Sequence, residues 1–389
     1  MTENFIPFAI PEIGQEEEKA VLEVLKSGWL TTGKVALEFE KEFAKKLNVP
    51  YALAVNSATS GLILALEALK IGPGDKVLTT PYTFISTATS CLHLGAEIEY
   101  ADIEKDSYNI DPEKIEEKLK NDSSIKVIIP VHIAGNICNM KKICEIAKKY
   151  DVYVIEDSAH AFPAKSKDGW AGTFGDIGVF SFYATKTITT AEGGMVVTSN
   201  PELAQRMTTM RLHGIDRNVW DRYTSKKASW EYDIIDAGFK FNLPDILAAI
   251  GVEQLKKADL FLEKRKRIVE KYNQEFSKHE IFILPPDSDG NAWHLYLLGL
   301  NLSKLKIDRN EFAKILQENG IGISMHFIPH YKFSLFKHRT DLSEKYFPNA
   351  EEHYQRTISL PLWPGMTDEM VEKVIDTVIK IGIENARFN

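Results

Sequence analysis

The chain has 389 residues, 44% of them hydrophobic and 26% charged, and a formal net charge of −8. These values exclude a disordered or fibrous polymer and a general nucleic-acid or membrane-surface binder, for which a basic stripe is expected, and the length calls for more than one core. Three cysteines, Cys91, Cys138 and Cys144, form no CxxC pair, which fits reduced thiols and argues against disulfides or a metal site.

The first 30 or so residues read as an arm with one short helix. Met1-Thr2-Glu3-Asn4 lacks the basic and apolar stretches of a secretory leader, and no apolar run approaches the ~20 residues of a membrane span, so a soluble cytoplasmic protein is expected. From Tyr51 onward short β-rich runs alternate with helical periodicity. Strands are predicted over 51–55, 76–80, 98–101, 126–131 and 152–155, with helices over 60–69, 85–93 and 139–150; another helix is opened by Asp111-Pro112, an N-cap followed by a first-turn proline. Strands spaced by helices imply right-handed crossovers, hence an α/β architecture with a mostly parallel central sheet sandwiched by helices. After Leu243 a long charged helix is predicted over 244–277. Its run Glu263-Lys264-Arg265-Lys266-Arg267 reads as a solvated helix face. A strand over 294–300 and helices over 308–319 and 368–383 predict a smaller C-terminal α+β domain. The expected division is an arm (1–30), a large domain (31–255) and a small domain (256–389).

Ligands of such sheets lie beyond the carboxyl ends of strands, where Asp157 and Asn56-Ser57 both fall. Asn56-Ser57-Ala58-Thr59-Ser60-Gly61 joins a strand to a helix, and free N–H groups at a helix start, with Ser and Thr hydroxyls, suit a phosphate. Ser181 could add another hydroxyl. The run Gly178-Val179-Phe180-Ser181-Phe182-Tyr183-Ala184-Thr185-Lys186 follows Val154-Ile155-Glu156-Asp157-Ser158-Ala159-His160. Singly, Lys186 would be an ordinary strand end and Asp157 an ordinary cap. Together they match what pyridoxal 5'-phosphate demands: a lysine amine for a Schiff base with its aldehyde and a carboxylate beside its ring nitrogen.

Jointly these segments resemble the fold-type I pyridoxal phosphate sugar aminotransferases of the DegT or StrS family, over nearly the whole chain. The likeness also includes Ser27-Gly28-Trp29-Leu30-Thr31-Thr32-Gly33, Ala191-Glu192-Gly193-Gly194 and Gly238-Phe239-Lys240-Phe241-Asn242-Leu243. It is strongest for the branch that aminates C4 of nucleotide-linked keto sugars, which includes the 4-amino-4-deoxy-arabinose, pseudaminic-acid pathway and spore-coat polysaccharide aminotransferases. The resemblance implies a fold-type I transferase whose large domain binds the cofactor. It assigns Lys186 as the Schiff-base lysine and general acid/base, and Asp157 as partner of the pyridine nitrogen. Ser57, Ala58, Thr59 and Ser181 would hold the phosphate. Phe84 would stack on the ring and His160 would lie near the phenolic oxygen. Asn242 would reach the phosphate from a second subunit, which implies a homodimer with shared sites. Trp29, Thr31 and His326 would border the sugar nucleotide.

The implied substrates are L-glutamate and a nucleotide-linked keto sugar, with UDP the expected nucleotide, used in a ping-pong cycle for surface polysaccharide or glycan biosynthesis. A C3 sugar aminotransferase and a non-catalytic regulator that binds cofactor or sugar nucleotide are the alternatives. A related sugar 3-dehydrase would carry His in place of Lys186. Arg211, Arg217 and Arg222 lie where a diphosphate could be met, but exposed arginines rarely do this and no role is assigned to them.

Overall fold

The computed structural model describes residues 5–216 and 232–387; Met1–Asn4, Arg217 and Arg222 lie outside them. Strands β1 (Tyr51–Val55), β2 (Lys76–Thr79), β3 (Glu97–Tyr100), β4 (Ile125–Ile128), β5 (Tyr153–Asp157), β8 (Ile177–Ser181) and β9 (Gly194–Thr198) form one seven-stranded sheet; β6 (Lys165–Ser166) and β7 (Gly169–Trp170) form a hairpin. The sheet order is β1-β9-β8-β5-β4-β2-β3, and β9 alone runs against its neighbours. The expected mostly parallel sheet is therefore present. Helices α1 (Gln15–Ser27), α2 (Lys34–Leu47), α3 (Ala58–Ala68), α4 (Ser86–Leu92), α5 (Pro112–Asn121), α6 (Met140–Tyr150) and α7 (Pro201–Met210) accompany it.

The elements start where the chain satisfies their free ends. Helix α3 begins at Ala58, earlier than the apolar run suggests, because the Ser57 hydroxyl accepts the Ser60 N–H at 3.1 Å. Helix α5 starts as expected, with Asp111 accepting the Glu113 N–H at 2.8 Å and Pro112 in the first turn. The strand expected over 126–131 is paired over Ile125–Ile128, since Pro130 cannot donate. Beyond it only the Ile129 N–H, bonded to the Leu78 carbonyl at 2.8 Å, and an isolated Val131–Asp157 bridge continue the line.

Helix α8 (Asp245–Phe276) is 32 residues long. Ala248, Val252 and Phe261 pack with Phe39, Phe43 and Phe180, while Ile268, Tyr272 and Phe276 pack with Tyr296, Phe312 and Val374. One helix thus enters both cores, and the proposed division near residue 255 falls inside it. The second core lies under a three-stranded antiparallel sheet of β10 (Phe282–Ile283), β11 (Tyr296–Leu300) and β12 (Thr357–Leu360), with α9 (Arg309–Glu318), α10 (Pro348–Arg356) and α11 (Asp368–Glu384). Strand β11 starts at Tyr296 rather than at 294 because the His294 and Leu295 N–H groups turn away to the Ala134 carbonyl. The arm is docked: the buried Glu17 accepts from Gln254 and Lys257 of α8, each at 2.8 Å. Among the described residues no helix is long and apolar enough to cross a membrane.

Candidate active site

Strands β1, β5 and β8 all end at one edge of the large sheet, and β9 begins there, with Gly194 paired to both Val55 and Ser181. This common edge opens into a cavity of about 470 Å3 lined by Ser57, Ala58, Thr59, Phe84, Asp157, His160, Ser181, Lys186 and His326. Nine of the residues singled out in the sequence, from segments up to 269 positions apart, are thereby brought together.

Asp157, the last residue of β5, is 4% exposed. It accepts the Thr87 hydroxyl at 2.8 Å and the Ala159 N–H at 3.2 Å. Burial raises its pKa, opposed by those hydrogen bonds and by Lys186. A buried carboxylate in this state has acceptor capacity left and gains from a cationic donor. Lys186 stands on a loop fixed by threonines: Thr187 donates to the Phe162 carbonyl and Thr189 to the Phe182 carbonyl, while the Gln254 amide oxygen accepts the Thr189 N–H. Although the residue is partly exposed, its amine is enclosed, and burial lowers its pKa to about 8 against the pull of Asp157.

At the opposite end the Ser57 hydroxyl lies 2.9 Å from that of Ser60, which donates to Asn56 at 2.6 Å. The Ala58 and Thr59 N–H groups, in the first turn of α3, have no partner among the described residues and border the cavity, as a phosphate site requires. Gly194 permits the close approach of β9 here: a Cβ on it would lie 2.8 Å from the Ala58 nitrogen and 2.7 Å from the Phe180 oxygen. Phe84 is 58% exposed at the cavity, unlike a core phenylalanine. His160 stacks on Phe327 with ring centroids 5.5 Å apart, and its Nδ1 accepts the Ala134 N–H at 3.4 Å. Its pKa is pushed well down, by burial first and then by Lys186 and His326, so the ring is neutral with its proton on Nε2. A lysine amine, a buried carboxylate, an open helix start and an exposed aromatic face fit pyridoxal phosphate.

Three predicted residues lie elsewhere. Asn242 donates to the Thr32 hydroxyl at 2.6 Å, accepts from Lys240 at 2.6 Å and lines a separate cavity of about 420 Å3 with Glu40 and Arg211. Trp29 lines a third cavity, and its indole N–H donates to the Thr32 carbonyl at 3.2 Å; the Thr31 carbonyl accepts the Asp245 N–H. Arg211 is bound to Glu40 and to the Ala54 carbonyl, consistent with giving it no ligand. Sequence reasoning missed Thr87, whose hydroxyl holds Asp157, and the buried His294, whose ring lies 4.5 Å from that of His160. Neither stands in a spacing that marks it out. It also missed Tyr183 and Glu192, which line the cavity within segments that were quoted.

Fold and cavity together define a fold-type I pyridoxal phosphate enzyme. The profile of the DegT/DnrJ/EryC1/StrS aminotransferase family matches residues 11–379. The chain is 46% identical over 385 residues, 98% of its own length and 99% of the relative's, to an uncharacterized protein, MJ1066, of Methanocaldococcus jannaschii. It is 42% identical over 378 residues, 96% of each chain, to the spore coat polysaccharide biosynthesis protein SpsC of Bacillus subtilis. Among solved structures, Helicobacter pylori PseC, an aminotransferase involved in the biosynthesis of pseudoaminic acid, is similar with a TM-score of 0.90 at 31% identity, over 98% of this chain and 100% of that one. The chain belongs to the DegT/DnrJ/EryC1/StrS aminotransferase family and is a pyridoxal phosphate-dependent sugar aminotransferase.

Proposed function

We propose that the protein moves the amino group of L-glutamate to C4 of a UDP-linked keto sugar, in the cytoplasm, for surface polysaccharide or glycan biosynthesis. The observation that carries this reading is the single cavity in which Lys186, Asp157 and the start of α3 meet. The names of two relatives support the pathway: SpsC is a spore coat polysaccharide protein and PseC acts toward pseudoaminic acid.

When bound, pyridoxal phosphate supplies an aldehyde that takes up the amino group and a ring that withdraws electrons from the reacting carbon. Ala58 and Thr59 N–H groups, with the Ser57 and Ser181 hydroxyls, would hold its phosphate, and Phe84 would cover one ring face. Asp157 would keep a proton on the ring nitrogen, while Thr87 orients the carboxylate. Lys186, with its pKa lowered to about 8, has a neutral amine within reach of physiological pH and so can take a proton from one carbon and return it to another. His160 would donate its Nε2 proton to the phenolic oxygen. Asn242 would complete the phosphate site of a second subunit in a homodimer. Trp29 and Thr31, across the same interface, and His326 would border the sugar nucleotide.

The test is the visible spectrum of the holoprotein on adding glutamate, followed by a UDP-4-keto-6-deoxy sugar. Loss of the visible band with glutamate and its return with the sugar, with NMR placing nitrogen on C4 of the product, is the expected result. Nitrogen on C3 would replace the regiochemical part, and a spectrum indifferent to both substrates would remove the activity.

A further inference from the structure

His326 forms part of the cavity wall, and its Nδ1 lies 2.8 Å from the hydroxyl of Ser359. Ser359 is 0% exposed in the middle of β12, where its backbone exchanges hydrogen bonds with Ser324 at 2.9 and 3.2 Å. His326 is held by its neighbours: Phe8 stacks on its ring at 5.7 Å, Phe327 meets the ring edge-on at 5.0 Å, and the Tyr82 hydroxyl donates to its backbone carbonyl at 2.8 Å.

A serine hydroxyl has one proton. Were Nδ1 protonated and donating to Ser359 Oγ, that proton would need a second acceptor. Among the described residues Ser359 Oγ has no partner but Nδ1, so the proton would be buried without an acceptor. The arrangement that leaves no buried group unsatisfied has Ser359 donating to Nδ1, which puts the ring proton on Nε2, at the cavity. Among the described residues Nε2 has no partner, and the ring borders the cavity.

We propose that Ser359 is a positioning residue that locks His326 in its Nε2–H tautomer, so that His326 presents a hydrogen-bond donor to an uncharged oxygen of the keto sugar. The substrate named here rests on the proposed function; the tautomer does not. Burial, with Lys186 second, lowers the His326 pKa to about 3, so the ring carries no charge at working pH. A ring held neutral suits a sugar hydroxyl or carbonyl oxygen. A dicarboxylate such as glutamate is better met by a cation.

Neutron diffraction from the wild-type holoprotein reads the ring proton directly. A proton on Nε2 and none on Nδ1 is expected, and a proton on Nδ1 overturns the proposal. Ser359→Ala frees the tautomer, and single-turnover kinetics should show kcat/KM for the sugar half-reaction falling about tenfold with the glutamate half-reaction held within about twofold. Ser359→Thr, which keeps the hydroxyl, should recover most of the loss. Equal losses in both half-reactions without recovery in Ser359→Thr would make Ser359 merely structural and overturn the positioning role. A wild-type protein inert to both substrates would defeat the proposed function instead, while the proton position would still decide the tautomer.

Discussion

Lys186 is pulled two ways: enclosure removes the charge from its amine, and Asp157 restores part of it. Because the net result is a pKa lowered to about 8, the neutral amine grows as pH rises through that value. Capture of pyridoxal phosphate by the apoprotein, followed by stopped-flow absorbance, should therefore accelerate through about pH 8 and level off above it. In Asp157→Asn the stabilising carboxylate is gone, so the midpoint should move to lower pH; a midpoint unmoved by the substitution would refute the coupling. The same variant, which loses the proposed partner of the ring nitrogen, should lose on the order of 10^2-fold in transamination, and Lys186→Ala, which removes the proposed proton-transfer group, on the order of 10^4-fold. A Lys186→Ala protein retaining the parent rate and visible band would end the assignment of that lysine.

The loop after β4 is where one element steers another. Asn136 accepts from the Ser288 hydroxyl at 2.8 Å and from Asn291 at 3.1 Å, and donates to the Pro286 carbonyl at 3.2 Å; Asn109 donates to its carbonyl. This knot of buried asparagines ties the large sheet's loop to the segment that leads into β11, and Asn109 also accepts the N–H of Ile133 at 3.0 Å, next to Ala134, whose N–H faces His160. Asn136→Ala strands several of these groups and should lower stability by about 2–3 kcal/mol, read from denaturant midpoints. A loss within error of zero would mean that the knot relaxes onto water. Gly194→Ala tests the contact of β9 with α3. With its Cβ forced onto backbone atoms it should cost about 1–3 kcal/mol and weaken cofactor binding, measured by equilibrium titration.

On the scale of the molecule, Asn242, Trp29 and Thr31 stand away from the cavity that holds Lys186, the placement that the proposed homodimer with shared sites calls for. Mixing decides this. Lys186→Ala and Asn242→Ala subunits, each impaired alone, should regain activity when combined, because one of the two sites in the mixed dimer then receives both an intact Lys186 and an intact Asn242. No gain on mixing, with subunit exchange verified, would place Asn242 in a purely structural role.

The alternation of strands and helices was legible from residue 51 because period-2 and period-3.6 apolar patterns are written locally, as are the Ser57 and Asp111 caps. Lys186 and Asp157 were legible because the cofactor's chemistry demands those two side chains. Strands β9 and β12 were not, since short runs buried on both faces carry no alternation. Thr87, His294 and Ser359 were likewise hidden, because each matters only through a partner far along the chain: Asp157, His160 and His326. The sequence by itself determined the α/β class and the chemical type of the site, and it is the source of the residues proposed to react. Only the tertiary structure decided which of them share a cavity, how burial sets their charge and which hydroxyl fixes which ring, because those properties depend on distance and enclosure rather than on order along the chain.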